Sequence, residues 1–438
     1  MSLSELFQDH IAHLQTGYAK ALETTSFDAV VLHSGRGLKQ RTVDDQYWPL
    51  KVNPSFAHWL PLLEPNVLVV VQPGKTPRLV RPKASSFWEG PAPVPGDHFW
   101  SSFDVVECAF DAMKEHCPSG RVAFIGDVAE AAEPLGIASE LCNPAALLAE
   151  LDSLRTIKTG YEIACLTEAS RIAIGGHIAV DSEFHQGMQS ELDLHLHYLR
   201  QTKQDSTQTP YGNIVAFGSN AAILHHVHYG REVDRNPNQS LLVDAGANYM
   251  GYASDITRTT VRGSSQAAQD FRALIAGLDA VQVELIADVK PGVAYEALHD
   301  LAHAKLAALL VESGLCTGNA EDLRSAGITQ AFFPHGLGHS LGLQVHDVGC
   351  RLVPPSDQNP FLRNTSMVTE GQVFTLEPGC YFIEALLSPL RESAAKSMIS
   401  WSTLAALQPF GGIRIEDNLV VSATASINLT RDNWSPSH

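Results

Sequence analysis

Four short segments in the second half of this chain carry ionisable residues inside runs that otherwise read as apolar β-strands. A lone carboxylate is too costly to bury. The chain must therefore fold with these groups at solvent or gather them around something positive. The first segment, SLLVDAGANYMGYASDITRTTV, places Asp244 after Leu241-Leu242-Val243 and Asp255 before Ile256-Thr257. A hairpin with its tip between Tyr249 and Met250 would set the two carboxylates directly opposite, with Cβ atoms roughly 4.5–5.5 Å apart. Like charges so placed repel unless a cation lies between them. Taken alone, the pair equally fits two exposed strand aspartates.

The second segment, HGLGHSLGLQVHDVG, holds His335, His339 and His346. Two histidines four apart suggest a zinc-protease helix, but no Glu follows the first and the glycines break any helix. Gly336, Gly338 and Gly342 lack the preceding strand and the spacing of a phosphate loop. Glycine-rich backbone around imidazoles suits a loop that lets ligands approach closely. In QVFTLEPGCYF, Glu377 ends an apolar run before the Pro378-Gly379 turn. In GGIRIEDNLVV, period-two alternation puts Ile413 and Ile415 on one face and Arg414 and Glu416 on the other. Each of these glutamates, by itself, also reads as an ordinary strand-end charge.

The chain has 438 residues, enough for two or three domains at roughly 150 residues each. Thirty basic residues against 48 acidic ones give a formal charge of −18, which argues against a nucleic-acid binder. No uninterrupted run of apolar residues is long enough to span a membrane, and the N-terminus does not read as a secretory signal. Seven scattered cysteines without a C-x-x-C fit buried thiols in a reducing cytosol. The spacing of Leu3, Phe7, Ile11, Leu14, Tyr18 and Leu22 predicts an amphipathic helix. Runs at 29–32, 67–71 and 122–125 read as buried strands, and 83–98 as surface loop. Thr159 with Glu162 resembles a capping box opening a long helix. This predicts an α/β N-terminal domain, 1–157, and an α+β domain, 158–438. In the latter, helices fall around 190–201, 264–288 and 294–314, and strand-like segments at 241–261, 372–383 and 412–422.

Together the four segments resemble the pita-bread metallopeptidases, the family of methionine aminopeptidase, aminopeptidase P and prolidase. The resemblance covers roughly 160–425. The family's five-ligand set is complete as Asp244, Asp255, His339, Glu377 and Glu416; metal-free creatinase-type relatives and non-catalytic binding modules lack it. PYGNIVAF, ILHH, VKPGVAY, the long insert between the two glutamates and DDQYWPLKVNPSF narrow the likeness to the bacterial Xaa-Pro dipeptidase (prolidase) subclass, which includes the organophosphorus acid anhydrolases.

The resemblance implies a pita-bread catalytic domain with two Mn²⁺ ions, or less exclusively Co²⁺ or Zn²⁺. Four carboxylates and two divalent ions would balance, and a metal-bridging hydroxide would attack the scissile carbonyl. Glu377 would shuttle the proton, with His225, His335 and His346 near the substrate. His226 stands where relatives usually carry Tyr. The substrate would be a small dipeptide ending in proline, its carboxylate gripped by Arg363 or Arg414. Tyr211 and Tyr295 would line the site, and the segment around Asp45 would reach the partner subunit's pocket in a homodimer. A cytoplasmic enzyme with no nucleic-acid or membrane partner is expected. Its rivals are an organophosphorus acid anhydrolase and an aminopeptidase P acting on longer peptides.

Overall fold

The computed structural model describes residues 1–43, 45–83, 96–351 and 353–434. The chain divides into two compact units, residues 1–164 and 165–438, and the division falls within the first turns of the helix Gly160–Gln186.

The first unit is built on a five-stranded mixed sheet. From edge to edge its strands are Asp104–Cys108, Arg78–Pro82, Leu68–Val71, Ala29–His33 and Val122–Ile125. Ala29–His33 runs antiparallel to Leu68–Val71 and parallel to Val122–Ile125. All residues of these three strands are buried, as their unbroken apolar runs require. The helix Leu3–Thr25 buries Phe7, Ile11, Leu14, Tyr18 and Leu22, the spacing read from sequence, and a Ser2–Glu5 capping box starts it. Residues 84–95 of the expected loop lie outside the described residues. Its end instead forms one helical turn, Asp97–Trp100.

The capping box at Thr159 is present: Thr159 N donates to Glu162 Oε2 at 2.8 Å. Glu162 does more than cap. His58 Nε2 lies 3.3 Å from its Oε1, and His10 Nδ1 meets Thr159 Oγ1 at 2.9 Å. Burial alone would raise the Glu162 pKa, but His58, His10 and Lys158 outweigh it and hold the carboxyl well below its usual range.

The second unit joins helices and antiparallel sheets in blocks. Thr257–Arg262, Gln239–Asp244 and Ile214–Phe217 form one sheet; Val373–Leu376, Asp417–Val421 and Ser426–Asn428 form another. Gly379–Tyr381 pairs with Gly412–Arg414. The helices Gln266–Ala287 and Tyr295–Glu312 cover a core in which Phe271, Leu278, Leu298, Leu306, Phe374, Ile413, Ile415 and Leu419 belong to one cluster. No disulfide joins the seven cysteines.

The expectation about membrane spans needs one correction. By length and composition the helix Gly160–Gln186 is apolar enough to cross a bilayer, because its few charges are spread thinly. Half of its most apolar stretch is buried inside the fold, where Leu166, Ala169, Ala173, Val180 and Phe184 pack as a core helix.

Because the folded Glu162 pKa is depressed, its contribution to stability is present above the unfolded carboxylate range and lost as the pH falls below it. Glu162→Gln is expected to cost about 1–3 kcal/mol near neutral pH, with the gap to wild type closing between about pH 5 and pH 2. Urea denaturation across that range measures it.

Candidate active site

Asp244 ends the buried run Ser240–Val243. The register differs from the expected one: Asp244 pairs with Thr257, and the hairpin turns at Met250-Gly251, between the paired Tyr249 and Tyr252. Ala245 N bonds to the Ile256 carbonyl and Ser254 N to that of Ala247, which leaves Asp255 opposite Gly246. The slip is two residues, so Asp255 keeps the face of Asp244 and becomes its diagonal neighbour. Gly246 is obligatory here, since a Cβ would lie 2.0 Å from the Ser254 carbonyl oxygen. The Tyr211 hydroxyl sits between the carboxylates, 2.7 Å from Asp244 Oδ1 and 2.5 Å from Asp255 Oδ1. One O–H can donate to only one of them.

Glu416 enters from the other sheet. Its N–H bonds to the Thr257 carbonyl at 3.0 Å, and the Thr257 hydroxyl donates to its Oε2 at 2.7 Å. The histidine loop is stitched to the strand before Glu377: Thr375 N donates to the His339 carbonyl, and Glu377 N to that of Leu337. Gly338 permits this approach, because a Cβ would fall 2.1 Å from the Thr375 carbonyl oxygen and 2.4 Å from the Tyr295 hydroxyl. The glycines therefore bring backbone onto backbone.

His339 Nδ1 faces the Ser340 carbonyl at 3.0 Å, so that nitrogen carries the proton. Its other nitrogen, Nε2, faces Asp255 Oδ2, 3.4 Å away, and Glu377 Oε1, 3.7 Å away, and is the one that could ligate a metal. Ligand atoms of Asp255, His339 and Glu416 lie within 4.8 Å of one another. These three, with Asp244 and Glu377, line a single cavity of about 890 Å³.

The charges in this cavity are not balanced by the chain. Burial, then the neighbouring acids, raise Glu416 well above the usual carboxylate range; burial and Asp244 raise Asp255. Burial lifts Glu377 to about 7, with Asp255 and Asp244 adding to it against His339 and Arg414. Burial pulls His339 down, but Asp255 and Glu377 more than reverse it. Such a donor set, hard oxygens with one imidazole lone pair and too few cations, fits divalent metal ions.

Other expected residues fall into distinct groups. His225, His335, His346, Arg363, Arg414 and Tyr211 also line the cavity. Arg363 Nη1 donates to His346 Nδ1 at 2.8 Å, so His346 presents Nε2–H. His335 accepts from the Tyr381 hydroxyl through Nε2 at 2.8 Å, and its Nδ1 meets the Gly336 carbonyl. Both imidazoles are pushed down to about 3, His335 by burial and Arg414, His346 by burial, His339 and Arg363.

Arg414 departs from the expected substrate clamp. It is buried and occupied by its own chain: Nη2 on Asp244 at 2.6 Å, Nη1 on Tyr381 at 2.9 Å and Nε on Thr257 at 3.1 Å. It also adds a positive charge that a count of acids alone omits. Tyr295 departs as well, being fully buried, outside the cavity lining, with its hydroxyl donating to the Thr375 carbonyl at 2.9 Å. Asp45 belongs to the first unit, where it is exposed and accepts from Gln46 at 3.0 Å. His226 is no pocket wall: it is buried against Glu191. Sequence reading passed over Thr257, Thr375 and Tyr381. The only signal of Thr375 and Tyr381 was a polar atom in an apolar strand, and Thr257 is one of several polar residues in TRTTVR.

Tyr295→Phe is expected to cost about 1–3 kcal/mol of stability with KM unchanged; a raised KM at unchanged stability would return it to the substrate site. Gly338→Ala is expected to lower metal affinity at least about tenfold by displacing His339, read by calorimetric titration with Mn²⁺.

Comparison with known proteins agrees with this architecture. Residues 164–423 match the model of metallopeptidase family M24, and residues 5–153 that of the Xaa-Pro dipeptidase N-terminal domain. The chain is 40% identical over 441 residues to a Xaa-Pro dipeptidase of Pseudoalteromonas atlantica, and 41% identical over 442 residues to one of Shewanella woodyi; each alignment covers 98% of both chains. Among solved structures it is similar to proline aminopeptidase P II from Yersinia pestis, with a TM-score of 0.72 at 23% identity, covering 99% of this chain and 97% of that one. Aminopeptidase P from E. coli with the inhibitor Pro-Leu matches equally, at a TM-score of 0.72 and 23% identity over 99% and 95%. These two show the shared pita-bread fold. The chain belongs to metallopeptidase family M24, in the group that carries the Xaa-Pro dipeptidase N-terminal domain.

Proposed function

We propose that this chain is a dinuclear-metal dipeptidase that hydrolyses Xaa-Pro dipeptides. The observation that carries the reading is one cavity lined by Asp244, Asp255, His339, Glu377 and Glu416, drawn from four separated stretches of chain. Full-length relatives named Xaa-Pro dipeptidase support the substrate class.

Those five residues would hold the metals, which when bound supply an activated water and polarise the scissile carbonyl. With all four carboxylates ionised, they and the Arg414 guanidinium would carry a net of three negative charges. Two divalent ions would turn this to one positive charge, which suits an anionic ligand. Mn²⁺ fits a set of oxygens with one imidazole. Burial holds Glu377 near 7; bound cations would pull it back to the carboxylate form, from which it can take and return a proton.

His346 offers Nε2–H to the oxygen that becomes negative as the carbonyl turns tetrahedral, and Arg363 fixes that tautomer. Arg363 is exposed at the cavity and is the freer guanidinium for a proline carboxylate. His335 and His225 complete the wall. Of these, His335 already has both ring nitrogens bonded within the chain. An X-Pro bond is a tertiary amide without an N–H, so recognition falls on the free termini and the ring. A homodimer, in which the segment around Asp45 reaches the partner's cavity, and a cytoplasmic location belong to the same reading. Cysteines without disulfides fit a reducing compartment.

Manganese-loaded enzyme is expected to release proline from Ala-Pro and Leu-Pro, and EDTA to abolish this. A tripeptide X-Pro-Y should react at least about a hundredfold more slowly, because its proline carboxylate is blocked. Equal rates on both would favour aminopeptidase action instead. Asp255→Ala and Glu416→Ala should each bind less metal, as measured by elemental analysis, and lose turnover.

A further inference from the structure

Outside the cavity, one buried carboxylate gathers more donors than any structural need of its own helix explains. Glu191 is 2% exposed and begins the helix Glu191–Thr202. That helix already has its own capping box: the Ser190 hydroxyl accepts from Asp193 N, and Ser190 N donates to Asp193 Oδ2. Glu191 turns instead to the segment 217–230. Its Oε1 accepts from Phe217 N at 2.7 Å and Asn220 Nδ2 at 2.8 Å. Its Oε2 accepts from Gly230 N at 2.6 Å and His226 Nε2 at 3.0 Å.

Each oxygen takes two donors, so the carboxylate is saturated. The donors come from the start, the middle and the end of one segment. Between the Asn220 and Gly230 anchors the chain passes the cavity, and Leu224, His225 and Val227, on either side of the His226 anchor, line its wall. His225 is exposed there, and its neighbour His226 is held in the interior. An exposed imidazole keeps a fixed place only if its backbone is tied down from behind. Burial alone would raise the Glu191 pKa, but the hydrogen bonds from Asn220, Gly230, Phe217 and His226 together outweigh it and lower the pKa, which keeps the clamp charged.

We propose that Glu191, with His226, is a positioning residue for the hydrolysis: it pins the 217–230 segment at four points and so sets His225 against the bound dipeptide. This deepens the dipeptidase reading and rests on it. The charge is essential to the device. A glutamine of the same shape would turn an amide NH₂ toward two donors that need an acceptor.

The test is a double-mutant cycle on full-length, manganese-loaded enzyme with Leu-Pro: wild type, Glu191→Gln, His225→Ala and the pair. Metal content is measured for each. Glu191→Gln is expected to lower kcat/KM at least about tenfold with metal content unchanged. In the His225→Ala background it should add no more than about twofold. Full additivity, an unchanged Glu191→Gln enzyme, or a His225→Ala enzyme with wild-type kinetics would each overturn the proposal. If Glu191→Gln fails to fold, His226→Phe, which removes one of the four donors, takes its place in the same cycle. Limited proteolysis of 217–230 reads the clamp without substrate: faster cleavage in the variant supports it, and equal cleavage overturns it. A wild-type enzyme that leaves Leu-Pro intact while the variant's segment becomes protease-sensitive would sink the dipeptidase reading and keep the clamp.

Discussion

The second unit depends on crowding four carboxylates into one cavity that its own chain does not neutralise. Asp255 and Glu416 are buried and the pKa values of Asp255, Glu377 and Glu416 are all pushed upward, the signature of like charges sharing a dry space. One guanidinium, Arg414, offsets part of the charge. It also fixes the geometry by bonding to Asp244, Thr257 and Tyr381 at once. These bonds hold the acids together, and their mutual repulsion would favour the binding of cations among them.

A layer of neutral groups keeps that arrangement in place. Tyr211 spans the two aspartates, Thr257 holds Glu416, and Thr375 supports His339 while its carbonyl takes the Tyr295 hydroxyl. On the far side of the Glu416 strand, Asp417 is fully buried and paired with Arg258 and Arg431 at 2.6 Å each. Adjacent acids on one strand thus meet opposite fates. Glu416 is left short of positive charge for the site, whereas Asp417 is fully paired and locks the strand. Alternation along the strand separates them.

Much of the cavity was legible in the chain. Apolar runs that end in an acid marked Asp244, Glu377 and Glu416, and the glycine-rich histidine loop marked His335, His339 and His346. The hairpin was legible in face but not in register. Hydrophobic alternation repeats every two residues, so it distinguishes faces and is blind to a slip of two. The turn at Met250-Gly251 decided it. Arg414 and Tyr295 show a second limit. Sequence reading placed both at the substrate, yet one is occupied by Asp244 and the other lies beneath the strand that carries Glu377.

By itself, the sequence determined the two-part organisation, the helix faces, the capping box at Thr159, and the identity of the acids and imidazoles that share a cavity. These follow from local periodicity, turn chemistry and the cost of burying charge. Only the tertiary structure decided which guanidinium is buried on its own chain and which is exposed at the cavity, how the ring nitrogens of His335, His339 and His346 are partnered, and that Glu191 grips the segment bearing His225. Those outcomes depend on distances between residues far apart in the chain, and a hydrogen bond is specified within a few tenths of an ångström, a precision that no pattern along one strand encodes.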